Sequence, residues 1–161
     1  MILVTVGMQL GFERLIRAVD RIQPDCGVDF VAQTGPTSYV PTNLVSKAQF
    51  GPAEFEELAS RAALIVSHAG IGTVLLAKRL RKPIVLFPRK AGLGEHRNDH
   101  QLSTAAQLAG HRGIFVAMAE TELRDAISLG LACGPIGHEI SPTLGRLQSA
   151  VASFVASGTL R

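Results

Sequence analysis

The stretch AALIVSHAGIGTVLLAKRLRKPIVLFPRKAGLGEHRNDHQ, residues Ala62–Gln101, decides how this chain folds. It predicts a buried strand over Ala62–Ser67, a glycine turn at His68–Thr73, a helix, a second buried strand over Ile84–Phe87, a long polar loop, and a helix N-terminus at Asn98. Both strands are short apolar runs separated by a helical segment, the pattern of a parallel sheet covered on both faces rather than of a hairpin. Two strand-loop-helix corners therefore point the same way. In an open parallel sheet, ligands bind beyond the carboxyl ends of the strands, where loops and helix N-termini collect. Both polar runs fall there.

The same unit recurs upstream. Ile2–Val6 is a β-branched apolar run ending at Gly7, and Leu15, Ile16, Val19 and Ile22 form the apolar stripe of a helix closed by Pro24, with Arg14, Arg17, Asp20 and Arg21 assigned to its wet side. Further strands are expected over Val28–Gln33 and Asn43–Phe50, with a two-proline loop between them. Pro52 then opens a helix whose early Glu54, Glu56 and Glu57 suit the macrodipole and read as a solvated face. Downstream, Gly113–Val116 is a last strand, Glu120–Leu129 a helix, and Pro142–Ala156 a final amphipathic helix. The expected fold is α/β: a Rossmann-like parallel sheet with helices on both faces, one domain over residues 1–161.

Composition narrows the function classes. An apolar fraction of 47% and a charged fraction of 18% belong to a globular chain that needs no staples. Sixteen Lys and Arg against 13 Asp and Glu give net +3, with the densest cluster at Lys78–Lys82, at the end of a predicted helix. With no Trp and one Tyr there is little to stack on bases, so no nucleic acid is expected as partner. A basic rim against an anionic membrane surface fits better. Cys26 and Cys133 lie far apart and read as free thiols in a reducing compartment. The opening MILVTV is too short to span a bilayer and lacks a signal-peptide n-region, so a cytoplasmic location is expected, with any membrane association peripheral.

Three groups of residues carry the chemistry. The first is Gly7-Met8-Gln9-Leu10-Gly11, either a bare backbone loop that lets N–H groups approach a phosphate, or a turn that needs a positive φ. The second is His68-Ala69-Gly70-Ile71-Gly72-Thr73. It offers the unpaired N–H groups of a helix N-terminus and the Thr73 hydroxyl to an anion, a diphosphate cradle in type. It is neither a Walker loop, whose Lys is absent, nor a dinucleotide fingerprint, since no acidic residue closes the second strand. His68 can bond a phosphate or move a proton, or simply order its own loop.

The third group is Pro88–Gln101, too long and too charged for a mere connection. Asn98 and Gln101 match a capping-box spacing; alternatively Asp99, His100 and Gln101 meet the hydroxyls of a polar ligand. Arg89 and Arg97 are cations able to fork onto a carboxylate or phosphate. His96 and His100 are four apart, but no third ligand is evident, so no metal is expected.

SHAGIGT, KPIVLFPR and GEHRNDHQ at these spacings, with the opening VTVGMQLGFERLIRAVD, resemble the nucleotide-sugar-binding lobe of two-lobed (GT-B) glycosyltransferases of family 28 type. The chain is most similar to the split members, the Alg13-like and PssE-type exopolysaccharide subunits, over Met1 to about Val116. The resemblance implies a UDP-sugar donor as substrate, with no metal or other cofactor. Gly7–Gly11, with Gln9, and Gly70–Thr73 would cradle the diphosphate, and Asp99, His100 and Gln101 would meet the sugar hydroxyls. It also implies inverting transfer of a hexose or hexuronic acid, glucuronic acid favoured, whose carboxylate Arg89, Lys90 or Arg97 can meet. A general base is required, for which His68, Glu95 and His96 are the local candidates. Many relatives carry a ribose-binding Glu where this chain has Leu76, so that contact must come from another group or be weaker. One lobe in 161 residues leaves the acceptor site to a second chain. The implied partner is an Alg14-like, membrane-associated subunit that presents a lipid-linked saccharide at the inner face of the membrane; alone, the chain can self-associate through the surface this partner would cover. The alternative is a regulatory subunit that binds a nucleotide and transfers nothing.

Overall fold

The computed structural model describes residues 1–7 and 10–137. The expected helix Pro142–Ala156 and the candidate residue Gln9 lie outside them. Six parallel strands form one sheet: β1 (Ile2–Thr5), β2 (Phe30–Gln33), β3 (Val45–Lys47), β4 (Leu64–Ser67), β5 (Ile84–Leu86) and β6 (Ile114–Val116), in the spatial order β3-β2-β1-β4-β5-β6. Five α-helices connect or follow them: α1 (Glu13–Ile22), α2 (Pro52–Arg61), α3 (Ile71–Arg79), α4 (His100–Leu108) and α5 (Glu120–Cys133). The strand order reverses between β1 and β4, which puts the ligand-binding crevice of such a sheet beyond Thr5 and Ser67.

Alternation along the strands divides the core. Ile2 and Val4 of β1 pack with Leu15, Ile16 and Val19 of α1 and with Leu123 and Ile127 of α5. Leu3, Ile65 and Leu86 face the other way, onto Ala59 of α2, Ala77 of α3 and Ala105 of α4. The small residues there let helices approach the sheet closely. Gly130 of α5 does the same opposite β4, where an added Cβ would stand 2.6 Å from Leu64 Cδ1. The expected architecture, a parallel sheet with helices on both faces, is the one found.

Several local expectations change. β2 begins at Phe30 rather than Val28, and β3 keeps only Val45–Lys47 of the expected Asn43–Phe50, as befits an edge strand with a single neighbour. Asp20 of α1 is buried, not wet: its carboxylate accepts hydrogen bonds from Tyr39 Oη (2.5 Å), Asn43 N (2.7 Å) and Thr42 N (3.1 Å), tying the 36–43 loop to α1. Burial pushes that carboxyl's pKa up, but the bonds from Tyr39, Asn43 and Thr42 outweigh it and leave the pKa below its ordinary value. Arg14 is also drawn inward, to a partner in the loop after β5.

Candidate functional site

Two cavities meet along the carboxyl ends of β1 and β4 and share Gly7 and His68 as their common wall. The larger, about 470 Å³, runs outward between α2 and α3. The smaller, about 270 Å³, lies under the loop after β5 and is walled by Leu10, Arg89, His96 and Gln101. The groove they form sits at the strand-order reversal.

His68 stands at its centre, with Nδ1 3.2 Å from Ser67 Oγ. The glycines around it are explained by its ring. A Cβ on Gly70 would lie 2.2 Å from His68 Nε2, and one on Gly7, whose φ is +81°, would lie 2.9 Å from His68 Cε1. Gly11 answers to another neighbour: its Cβ would fall 1.8 Å from the Pro36 carbonyl oxygen. Only Gly72 of the four faces open space. Its lack of a side chain is unneeded by the fold, and it leaves the first turn of α3 bare toward the groove. There the Thr73 and Val74 N–H groups turn back on the Gly70 carbonyl (3.2 and 3.3 Å), while those of Ile71 and Gly72 have no acceptor among the described residues. An anion fits such a place.

Burial first, and the nearby charge of Arg89 second, hold the His68 imidazole down at about 4. At neutral pH the ring is therefore uncharged and a weak base, suited to hydrogen bonding rather than to taking a proton from a hydroxyl.

Arg89 is not a spare cation. It is 2% exposed, and its guanidinium donates to the carbonyls of Val6 (2.8 Å), Leu10 (2.7 Å) and Gly11 while lying over the Phe12 ring, 4.5 Å from its centroid. Its forks are filled by backbone acceptors, so it shapes the 7–11 loop and cannot also clasp a phosphate or sugar carboxylate. Glu95 is likewise committed: its two oxygens accept from Arg14 Nε (2.6 Å) and Nη2 (2.9 Å), and Lys90 N adds a third bond at 2.8 Å. A carboxylate held this way is a poor general base, which corrects the expectation for Glu95.

The capping box is not formed. α4 begins at His100, and Asn98 Oδ1 accepts from the His100 backbone N–H (3.3 Å) while its partner in the expected box, Gln101, is buried and accepts from Arg89 N (3.1 Å). Asp99 accepts from Ala91 N at 2.8 Å, closing the 91–99 loop. Asp99, His100 and Arg97 are exposed and line neither cavity. His96 does line the smaller one; its ring packs edge-on against His100 (centroids 4.6 Å apart), and its buried Nδ1 has no hydrogen-bond partner among the described residues. No group of three or more His, Cys, Asp or Glu side chains among the described residues is placed to hold a metal ion.

Of the expected set, the fold thus gathers Gly7, His68, Gly70, Gly72 and Thr73 around the larger cavity, and Arg89, His96 and Gln101 around the smaller. It adds a wall absent from the sequence reading: Phe50, Phe55 and Glu56 from α2 and its approach, facing Leu76 and Arg79 of α3. The three-residue spacing of Thr73, Leu76 and Arg79, one stripe of a helix, was the available signal.

A parallel sheet with a bare helix N-terminus at its strand-order reversal is the architecture of a Rossmann-like lobe of the GT-B type. The family described as the glycosyltransferase family 28 C-terminal domain matches residues 1–130, and the chain belongs to that family. Among solved structures it is similar to the solution structure of ALG13 (19% identity, TM-score 0.60, covering 91% of this chain and 93% of that one). It is also similar to MurG of Acinetobacter baumannii (19%, TM-score 0.58, 82% of this chain and 42% of that one) and to the glycotransferase of kitacinnamycin (17%, TM-score 0.60, 99% and 40%). At these identities the likeness speaks for the fold. The chain spans well under half the length of the latter two and nearly all of ALG13. No curated protein matches it at a significant level. No helix among the described residues is long and apolar enough to cross a membrane.

Proposed function

We propose that this chain binds the UDP-sugar donor of an inverting glycosyltransferase and acts with an acceptor-binding lobe. The observation that carries the reading is the bare first turn of α3 at Gly72, which lines the larger cavity of the groove. The diphosphate takes the free N–H groups of that turn, with the neutral His68 beside it; the nucleoside extends between α2 and α3, and the sugar enters the smaller cavity toward His96 and Gln101. Helix N–H groups then stabilise the departing UDP without a metal. A hexuronic acid, glucuronic acid foremost, is the favoured sugar. With Arg89 occupied and Arg97 outside both cavities, Lys90, next to Arg89 in the chain, is left to meet its carboxylate. The acceptor is a lipid-linked saccharide of exopolysaccharide synthesis, brought by an Alg14-like subunit at the inner face of the membrane.

With Glu95 paired to Arg14 and His68 weakly basic, the general base is left to His96, whose buried Nδ1 has no hydrogen-bond partner among the described residues, or to the acceptor-binding subunit. The same observation favours the second reading, a nucleotide-binding regulatory subunit without transfer. Calorimetric titration with UDP, UDP-glucose, UDP-galactose, UDP-glucuronate and NAD tests the donor site. The expected result is binding of the uridine nucleotides, UDP-glucuronate most tightly, and none of NAD. Absence of uridine binding both alone and with the acceptor-binding subunit overturns the reading. Donor binding without transfer by the complete assembly selects the regulatory one.

A further inference from the structure

Among the residues lining the larger cavity, Glu56 supplies the only carboxylate, and it sits across from Leu76. Resting on the nucleotide reading above, we propose that Glu56 recognises the ribose of the nucleoside diphosphate, its carboxylate accepting hydrogen bonds from the 2′- and 3′-hydroxyls.

The argument follows α3 away from its N-terminus. Thr73, Leu76 and Arg79 present successive turns of one helix face to the cavity, so a ligand whose diphosphate lies at Gly70–Thr73 puts its next group beside Leu76. Leu76 offers no polar atom to a diol. Beside it, Pro52, Phe50 and Phe55 make an apolar wall suited to a flat base. The diol between base and diphosphate needs acceptors, and buried Gln33 is already engaged: its amide donates to Thr5 Oγ1 (3.4 Å) and accepts from Phe50 N (3.0 Å). Glu56 remains. Arg79 reaches across from α3 to its Oε1 at 2.9 Å, which keeps the carboxylate at the cavity mouth. An ionised carboxylate is acceptor-only and has room for several donors, so both hydroxyls can bond it while Arg79 stays in place. A ligand lacking the 2′-hydroxyl would forgo one charge-assisted hydrogen bond, and because the carboxylate is half exposed and water can replace that donor, the expected discrimination is modest.

The test is titration of the protein with UDP and with 2′-deoxyuridine diphosphate. The unaltered protein is expected to prefer UDP about tenfold, and Glu56→Gln to bring the two ligands within about twofold of each other by weakening UDP. The Glu56–Arg79 pair is exposed, with side chains 54% and 61% accessible, so the variant keeps its thermal midpoint. Glu57→Gln, on the same helix and paired with Arg61, keeps the preference. An unaltered protein that binds both ligands equally, or a Glu56→Gln protein that keeps the tenfold preference, overturns the ribose assignment while UDP binding itself stands. Absence of binding by any uridine nucleotide, with or without the acceptor-binding subunit, instead overturns the nucleotide reading beneath it.

Discussion

The ring of His68 fills the space that a Cβ on Gly7 or Gly70 would need, whereas nothing within 4 Å crowds Gly72. Two substitutions of the same kind should therefore part company. Gly70→Ala forces the ring out of the groove and should lower both the unfolding midpoint and UDP affinity. Gly72→Ala adds a better helix former in open space and should raise stability by about 0.5 kcal/mol. Its methyl covers the free N–H groups, so it should still weaken UDP about tenfold by calorimetry, if the anion docks there. The imidazole also predicts a pH dependence. In the unfolded chain it takes a proton near 6.5, but in the fold only near 4, so between those values the unfolded state holds more protons. The contribution is complete above 6.5 and is lost as pH falls toward 4, by at most about 3 kcal/mol. Glu13, whose bonds from Ser38 and Thr37 hold it at about 2, acts only below its ordinary 4.5. The unfolding midpoint of His68→Gln should thus be flat between pH 6.5 and 4.5 where that of the unaltered protein slopes; equal slopes would assign the proton elsewhere.

Arg89 leaves β5 and reaches under the loop that leaves β1, so two strand ends are held as one edge of the groove. Arg89→Met removes the donors from four carbonyls, those of Val6, Leu10, Gly11 and Glu95, and leaves them with methylenes. Urea unfolding should show a loss of about 3 kcal/mol or more, and Arg89→Lys should not recover it, because one ammonium cannot reproduce the planar fork. At this scale the sequence was informative in one direction only. Strands buried on both faces must be continuous apolar runs, and helices between them must carry stripes, so the order of elements and the two glycine corners were readable in LIVSHAG and MILVTVG. What a polar side chain bonds was not. Arg89 finds carbonyls, which every residue has and no sequence marks; Gln101 has the spacing of a cap yet faces the Arg89 backbone; Asp20 follows the wet side of α1 until the 36–43 loop folds over it. Each depends on a segment distant in the chain. The cavity wall from α2 was hidden for the same reason, since nothing in EFEELAS says which of its carboxylates turns toward α3.

The whole molecule presents its groove along one edge of the sheet, with the first turn of α3 and both cavities open to solvent on the side away from the strands. On the proposed reading the chain binds a nucleotide sugar by itself, because the diphosphate, ribose and base contacts assigned to it all come from one lobe. On that reading an acceptor hydroxyl is aligned behind the anomeric carbon, and the departing diphosphate shielded from water, by a second surface facing the groove. Binding and turnover should therefore separate. UDP at one hundred times its dissociation constant should stabilise the isolated chain by about 2.7 kcal/mol, seen as a raised unfolding midpoint. Transfer from UDP-glucuronate to a lipid-linked saccharide should be undetectable until an acceptor-binding lobe is added, and slow hydrolysis of the donor should be the only reaction before that. Transfer by the isolated chain would mean that the chain itself supplies a base and an acceptor surface. The pairings of Glu95 and the low basicity of His68 leave His96, with its unpartnered Nδ1 in the smaller cavity, as the one sequence candidate among the described residues for the proton that an attacking hydroxyl must lose.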